Sequence, residues 1–121
     1  MVRPPLRAPS LTIVRVANAM RARSHGLGST YRAIGAYADA ETTLRDGIRR
    51  FPNDPTFAPF LAMTLYNRGR AREAVALLLD LLLDITNDER LLAFERAIRA
   101  FGPVFGAPRR AETPLEIDPF Q

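Results

Sequence analysis

The sequence contains no cysteine and only one histidine, and each of these facts excludes a class of functional site. Without cysteine the chain has no disulfide, no catalytic thiol and no thiolate metal site. One histidine, His25, cannot build a histidine-rich metal site, and a histidine without a paired nucleophile or carboxylate is more often a packing or surface residue. The sequence therefore predicts a protein that is not an enzyme and has no metal or cofactor.

Lysine is also absent, so all 17 basic residues are arginine, as GC-rich codon usage favours. Acidic residues are absent from residues 1–36, which hold six of the arginines. Such a segment is either the solvated end of a helical protein or a surface for nucleic acid or an acidic membrane. The alternative function is therefore nucleic-acid or acidic-surface binding through one basic strip, although no aromatic residue interleaves with its first three arginines. The strip would consist of Arg15, Arg21, Arg23 and Arg32.

No stretch of the sequence is apolar enough to cross a membrane. The longest apolar run, residues 77–83, is interrupted by Asp80 and is far shorter than the roughly 20 residues that a spanning helix needs. Residues 11–20 make a poor signal peptide, because Arg15 breaks their apolar run. We expect a cytoplasmic protein without membrane contact.

Five helices are predicted; capping residues mark the starts of three of them, and glycine or proline marks the ends of four. The start signals are Ser10, Asp54 followed by Pro55, and Thr86 in capping-box spacing with Glu89, and the end signals are Gly35, Pro52, Gly69 and Gly102. The predicted helices span residues 11–34, 36–51, 55–68, 70–85 and 86–102, with a break near residues 24–28 as an alternative in the first. Residues 10–102 are thus the predicted helical domain, between a flexible segment, residues 1–9, and a proline-rich tail, residues 103–121.

Two stretches of the chain, residues 27–52 and 61–86, are copies of one pattern offset by 34 residues. A fixed period of this length indicates stacked helical hairpins. The corresponding residues include Leu27 and Leu61, Gly35 and Gly69, Ala40 and Ala74, and Leu44 and Leu78. We therefore predict an all-α protein built as a stack of antiparallel helix hairpins.

The first copy contains Leu27, Gly28, Tyr31, Ala40, Leu44 and Pro52 at fixed spacing. This set resembles a tetratricopeptide repeat, whose pattern is W-x2-L-G-x2-Y, then A-x3-F and a closing proline. Both copies lack the tryptophan, and Thr86 stands where the second copy would have its proline. The resemblance covers residues 22–101 and is to short, arginine- and alanine-rich bacterial proteins of this family. It implies about five helices, roughly two and a half repeats, that bind an unknown protein or peptide.

The resemblance also implies a concave groove lined by the first helix of each hairpin. It places there His25, Ser29 and Arg32 from the first repeat and Pro59, Met63, Tyr66 and Asn67 from the second, with Ala93 and Ala97 continuing the surface. An aromatic ring, a thioether, an amide and one arginine suit an extended peptide with an acidic or C-terminal group. Alternatively, these positions are merely exposed, or the chain's own tail occupies them. The family's carboxylate clamp needs lysine and asparagine at set positions that this chain fills otherwise, so we do not expect binding of chaperone tails.

Small residues are predicted where the two helices of each hairpin cross, because they let helix axes approach closely. The predicted crossings pair Gly28 with Ala40 and Ala62 with Ala74, and the larger residues beside the first crossing are Leu27, Tyr31, Leu44 and Phe51.

The fourth predicted helix, residues 70–85, is apolar nearly all round, with Asp80 and Asp84 on its polar stripe. A helix of this kind is normally buried on several sides. We expect either the tail or a second copy of the chain to cover it, and a homodimer is the usual solution.

Overall fold

The computed structural model describes residues 10–102, which form a chain of six α-helices without a strand in that range. The helices are α1 (Leu11–Ala33), α2 (Tyr37–Arg50), α3 (Phe57–Asn67), α4 (Ala71–Ile85), α5 (Glu89–Leu92) and α6 (Glu95–Arg99). Consecutive helices pack as neighbours in the order α1–α2, α2–α3 and α3–α4, and α6 packs on α4. The predicted all-α stack of helix hairpins is confirmed. The predicted segments at residues 1–9 and 103–121 lie outside the described residues.

Helix α1 begins where the sequence predicts, because the Ser10 side chain accepts a hydrogen bond from the Ile13 N–H at 3.1 Å. It continues without interruption to Ala33, so the alternative break near residues 24–28 is wrong. Gly28 serves packing rather than termination. A Cβ added there would lie 2.6 Å from Leu44 Cγ, which is closer than atoms of a core can approach.

The two hairpins turn in the same way, at the predicted glycines. Gly35 and Gly69 have φ angles of 84° and 79°, a left-handed conformation that glycine adopts without steric cost. In the first turn the Ala36 N–H donates to the Tyr31 carbonyl at 2.8 Å, and in the second the Arg70 N–H donates to the Leu65 carbonyl at 2.9 Å. The same local motif thus ends the first helix of both repeats.

Two predicted helix starts are wrong. Helix α3 begins at Phe57 rather than at Pro55, because the Asp54 carboxylate accepts from the Thr56 N–H at 2.8 Å and holds residues 54–56 in a turn. The predicted fifth helix is divided into α5 and α6. Its N-cap is Asp88, which accepts from the Arg90 N–H at 2.9 Å, and Thr86 instead accepts from the Asp88 N–H.

The core lies between α2, α3 and α4. Its buried residues are Ala40, Leu44, Phe57, Leu61, Ala62, Leu65 and Ala74, and Tyr31 and Phe51 pack against them partly buried. The predicted small residues of both crossings are therefore buried, Gly28 among them. Leu27 was predicted to fill space beside the first crossing. That prediction is wrong, because Leu27 lies toward the solvent and is 40% exposed.

Helix α4 is less covered than the sequence predicts. Among the described residues only Ala74, Ala76 and Leu83 of this helix are buried. Its polar stripe is engaged, since Arg99 of α6 binds Asp80 at 3.3 Å and Asp84 at 3.0 Å. No helix in residues 10–102 is long and apolar enough to cross a membrane.

Candidate functional site

Helices α1 and α3 lie side by side, and His25 joins them. The His25 ring packs edge-on against Phe60, with ring centroids 4.8 Å apart, and lies tilted on Phe57 at 5.4 Å. Its Nε2 is 3.2 Å from the Thr56 carbonyl oxygen. These contacts place the part of α1 around His25 beside the first turn of α3. We use the name α1–α3 face for the surface that carries the predicted groove residues of these two helices, which are His25, Ser29, Arg32, Pro59, Met63, Tyr66 and Asn67.

Of the predicted groove residues on α1, His25 and Ser29 are engaged within the protein. The Ser29 hydroxyl donates to the His25 carbonyl oxygen at 2.8 Å, and both residues are half-buried. Their polar groups therefore shape the wall of the α1–α3 face and leave few bonds for a ligand.

Arg32 is the predicted groove residue with a polar atom that has no hydrogen-bond partner in the described residues. It lies seven residues, two helical turns, beyond His25 and is half-buried. Its Nε is buried and has no hydrogen-bond partner within residues 10–102, and no carboxylate of that range forms an ion pair with its guanidinium. A buried polar atom without a partner costs free energy, which distinguishes Arg32 from His25 and Ser29.

The predicted groove residues on α3 face the solvent more than those on α1. Tyr66 is 68% exposed, Met63 is 37% exposed and Asn67 is exposed as well. Tyr66 stands 34 residues after Arg32, so the two occupy equivalent positions in successive repeats. Pro59 is half-buried near the start of α3. The predicted continuation of the groove, Ala93 and Ala97, is exposed on the stretch that holds α5 and α6.

A model of the tetratricopeptide repeat family matches residues 15–104, well over half of the chain. The chain belongs to the tetratricopeptide repeat family. No protein with a curated description matches it significantly. Membership indicates a protein-interaction module, since tetratricopeptide repeats are typically non-catalytic scaffolds that bind through extended concave surfaces.

A cleft of about 910 Å³ opens at the N-terminal end of the α1–α3 face. Inside it, Arg21 Nε lies 3.2 Å from an Asp54 carboxylate oxygen and ties α1 to the turn before α3. Burial by itself would raise the pKa of Asp54. Hydrogen bonds from Thr56 and the positive charge of Arg21 outweigh burial and hold that pKa below its ordinary value.

The four arginines of α1 do not form the predicted basic strip. Because α1 is one continuous helix, successive residues turn by about 100°, so Arg21 and Arg32 share one side whereas Arg15 and Arg23 lie on others. Arg21 pairs with Asp54 on the side of α3, whereas Arg23 lines a cleft on the side of α2. The prediction of one strip along α1 is therefore wrong.

Sequence reasoning missed a charged cluster that joins the two tetratricopeptide repeats. Glu41 of α2 is only 8% exposed, and its carboxylate accepts from Arg45 and Arg68 at 2.8 Å and from Arg70 at 2.9 Å. Arg45 and Arg70 also bind Glu73 of α4. The spacing of Glu41 and Arg45, four residues apart on one helix, was a signal in the sequence. The partners from the second repeat could be found only from the fold.

Within residues 10–102 no group of three histidine or acidic side chains could hold a metal ion.

Proposed function

We propose that this tetratricopeptide repeat protein binds an extended peptide through the α1–α3 face and that Arg32 receives an acidic or C-terminal carboxylate of that peptide. The observation that carries the proposal is the half-buried Arg32, whose buried Nε has no hydrogen-bond partner within residues 10–102. A carboxylate supplies a charge-assisted hydrogen bond, which is stronger than a neutral one. The terminal nitrogens of the guanidinium would make this bond, because Nε itself is buried.

The predicted groove residues on α3 suit the remainder of such a peptide. Met63 offers a flexible apolar contact, Tyr66 an exposed amphipathic ring and Asn67 an amide that can pair with a peptide backbone. His25 supports this surface, since its contacts with Thr56, Phe57 and Phe60 hold α1 against the start of α3, and Ser29 bonds back to His25 within α1. The absence of cysteine fits a reducing compartment, and we propose that the protein acts in the cytoplasm.

A peptide array tests this proposal. Each sequence is present with a free C-terminal carboxylate and as the amide, and the array is probed with the wild type, with Arg32→Glu and with Arg15→Glu. Arg15 is exposed on the same helix and undergoes the same charge change, so it is the matched control. We expect a preference for free carboxylates or acidic sequences that Arg32→Glu removes and Arg15→Glu retains. An array on which Arg32→Glu behaves as the wild type contradicts the proposal.

We propose in addition that two copies associate through α4. Val75, Leu78, Leu82 and Ile85 are between 41% and 61% exposed and recur at spacings of three and four residues. This is the spacing of apolar residues along a coiled-coil seam. Two α4 helices related by a two-fold axis would cover each other's stripe.

Analytical ultracentrifugation tests self-association. The wild type is expected to sediment as a dimer at micromolar concentration and Leu78→Glu/Leu82→Glu as a monomer. Phe94→Glu, which adds a charge at an exposed aromatic residue outside α4, should stay dimeric. A wild type that remains monomeric across the micromolar range would rule out this second proposal and leave the peptide proposal untouched.

A further inference from the structure

Helix α1 is much longer than the helix that packs against it. It has 23 residues, whereas α2 has 14, and every residue from Leu11 to Met20 is exposed. Apolar residues of α1 nevertheless recur at helical spacing along one side, which we call the α1 stripe: Ile13, Val16, Met20 and Leu27. An apolar stripe on a helix normally marks a surface that packs against another element.

The α1 stripe continues an existing helix–helix contact. Tyr31, four residues beyond Leu27 on the same side, packs against the core formed with α2. Met20 and Leu27 line a cleft of about 500 Å³ together with Thr42 and Thr43 of α2. Because α2 ends at Arg50, the first part of the stripe has no helix beside it within residues 10–102. The shape therefore suits a helix that would extend the packing where α2 stops.

The charge around the stripe selects the kind of helix. Arg23, Arg49 and Arg50 line the same cleft, with Asp46 as its one carboxylate. Asp46 already pairs with both Arg49 and Arg50. Residues 1–36 contain no acid at all. Opposite charges across an interface favour association and like charges oppose it.

We infer that the α1 stripe binds an acidic amphipathic helix of a partner protein. This surface is separate from the α1–α3 face, because Arg32 and His25 lie more than 90° around α1 from the stripe. A second copy of α1 is disfavoured as the occupant, since it would bring arginines against arginines. A membrane surface is disfavoured as well. An interfacial helix needs one strongly polar face, and α1 carries Leu11, 64% exposed, opposite the stripe.

Two synthetic peptides test the inference by fluorescence anisotropy. Both carry leucine at helical spacing, and they differ only in having glutamate or lysine at the flanking positions. The proteins are the wild type, Ile13→Glu/Met20→Glu, Arg23→Glu and the control Leu11→Glu, which alters an equally exposed residue on the opposite side of α1. Circular dichroism checks that each variant keeps its helix content, and the comparison of the two peptides with the wild type needs no variant.

We expect the glutamate peptide to bind at least tenfold more tightly than the lysine peptide. Ile13→Glu/Met20→Glu should weaken this binding at least tenfold and Arg23→Glu should weaken it to a smaller extent, whereas Leu11→Glu should stay within twofold of the wild type. Equal affinity for the two peptides, or full affinity in the double variant, overturns the inference. So does stripe-dependent binding to phosphatidylserine vesicles without peptide binding, or a wild-type dimer that the double variant dissociates.

Discussion

Glu41 of α2 and Arg70 at the start of α4 are joined by an ion pair, in which Arg70 Nη1 donates to Glu41 Oε1 at 2.9 Å. The pair connects the second helix of the first repeat with the second helix of the next. Stacked repeats are held together by such neighbour contacts, since each repeat touches only those beside it. Glu41 is therefore a stability determinant of the two-repeat unit and stands apart from the proposed binding surfaces.

Removal of the Glu41 charge should destabilise the protein. In Glu41→Gln the arginines of the cluster lose their common carboxylate while remaining close to one another. Each is more than a third exposed, so solvent screening limits the cost to about 1–2 kcal/mol of unfolding free energy. Urea unfolding measures the change. Glu89→Gln, at an exposed glutamate, is the control and should stay within about 0.5 kcal/mol of the wild type.

Stability should fall on acidification, and part of the fall should come from Glu41. Burial by itself would raise the pKa of Glu41, but the hydrogen bonds and charges of Arg45 and Arg70 hold it below the ordinary value. A lowered folded-state pKa contributes stability above the unfolded-state pKa, about 4.3, and that contribution is lost as the pH falls through the folded-state value. Urea midpoints measured between pH 7 and pH 3 should therefore drop less steeply for Glu41→Gln than for the wild type. Parallel curves would show that Glu41 titrates alike in both states.

Two glycines of α1 should respond in opposite directions to the same substitution. Gly28→Ala places a Cβ 2.6 Å from Leu44 Cγ and should cost about 1–3 kcal/mol through overpacking. Gly26→Ala meets no atom within 4 Å and should add up to about 1 kcal/mol, because alanine favours the helix over glycine. Thermal unfolding of the two variants measures both effects. A shift of the same sign in both would contradict the packing described for α1 and α2.

The features that sequence predicts best are those determined within a few residues. Gly35 and Gly69 end their helices because glycine alone adopts a positive φ without strain, and Ser10 begins α1 through a bond to a residue three positions on. These signals are local, and the 34-residue period supplies their arrangement in space. The family and the hairpin stack could therefore be predicted before the fold was known.

The features that sequence predicts poorly depend on competition or on distant partners. At the start of α3, the Asp54 side chain forms a turn with Thr56 instead of capping a helix at Pro55. The Glu41 cluster needs arginines 27 and 29 residues away. For the candidate site, the 34-residue repeat pattern predicts the positions on α1 and α3. Only the fold shows that His25 contacts Thr56 whereas Arg32 Nε has no hydrogen-bond partner within residues 10–102.

The most direct test of the central claim is a calorimetric titration of the best peptide from the array, as free acid and as amide. The measured quantity is the ratio of the two dissociation constants in the wild type, in Arg32→Gln and in the control Arg15→Gln. If Arg32 receives the carboxylate, the wild type and Arg15→Gln should prefer the free acid at least tenfold, and Arg32→Gln should prefer it less than twofold. A preference that survives unchanged in Arg32→Gln would contradict the assignment of the α1–α3 face as the peptide-binding site.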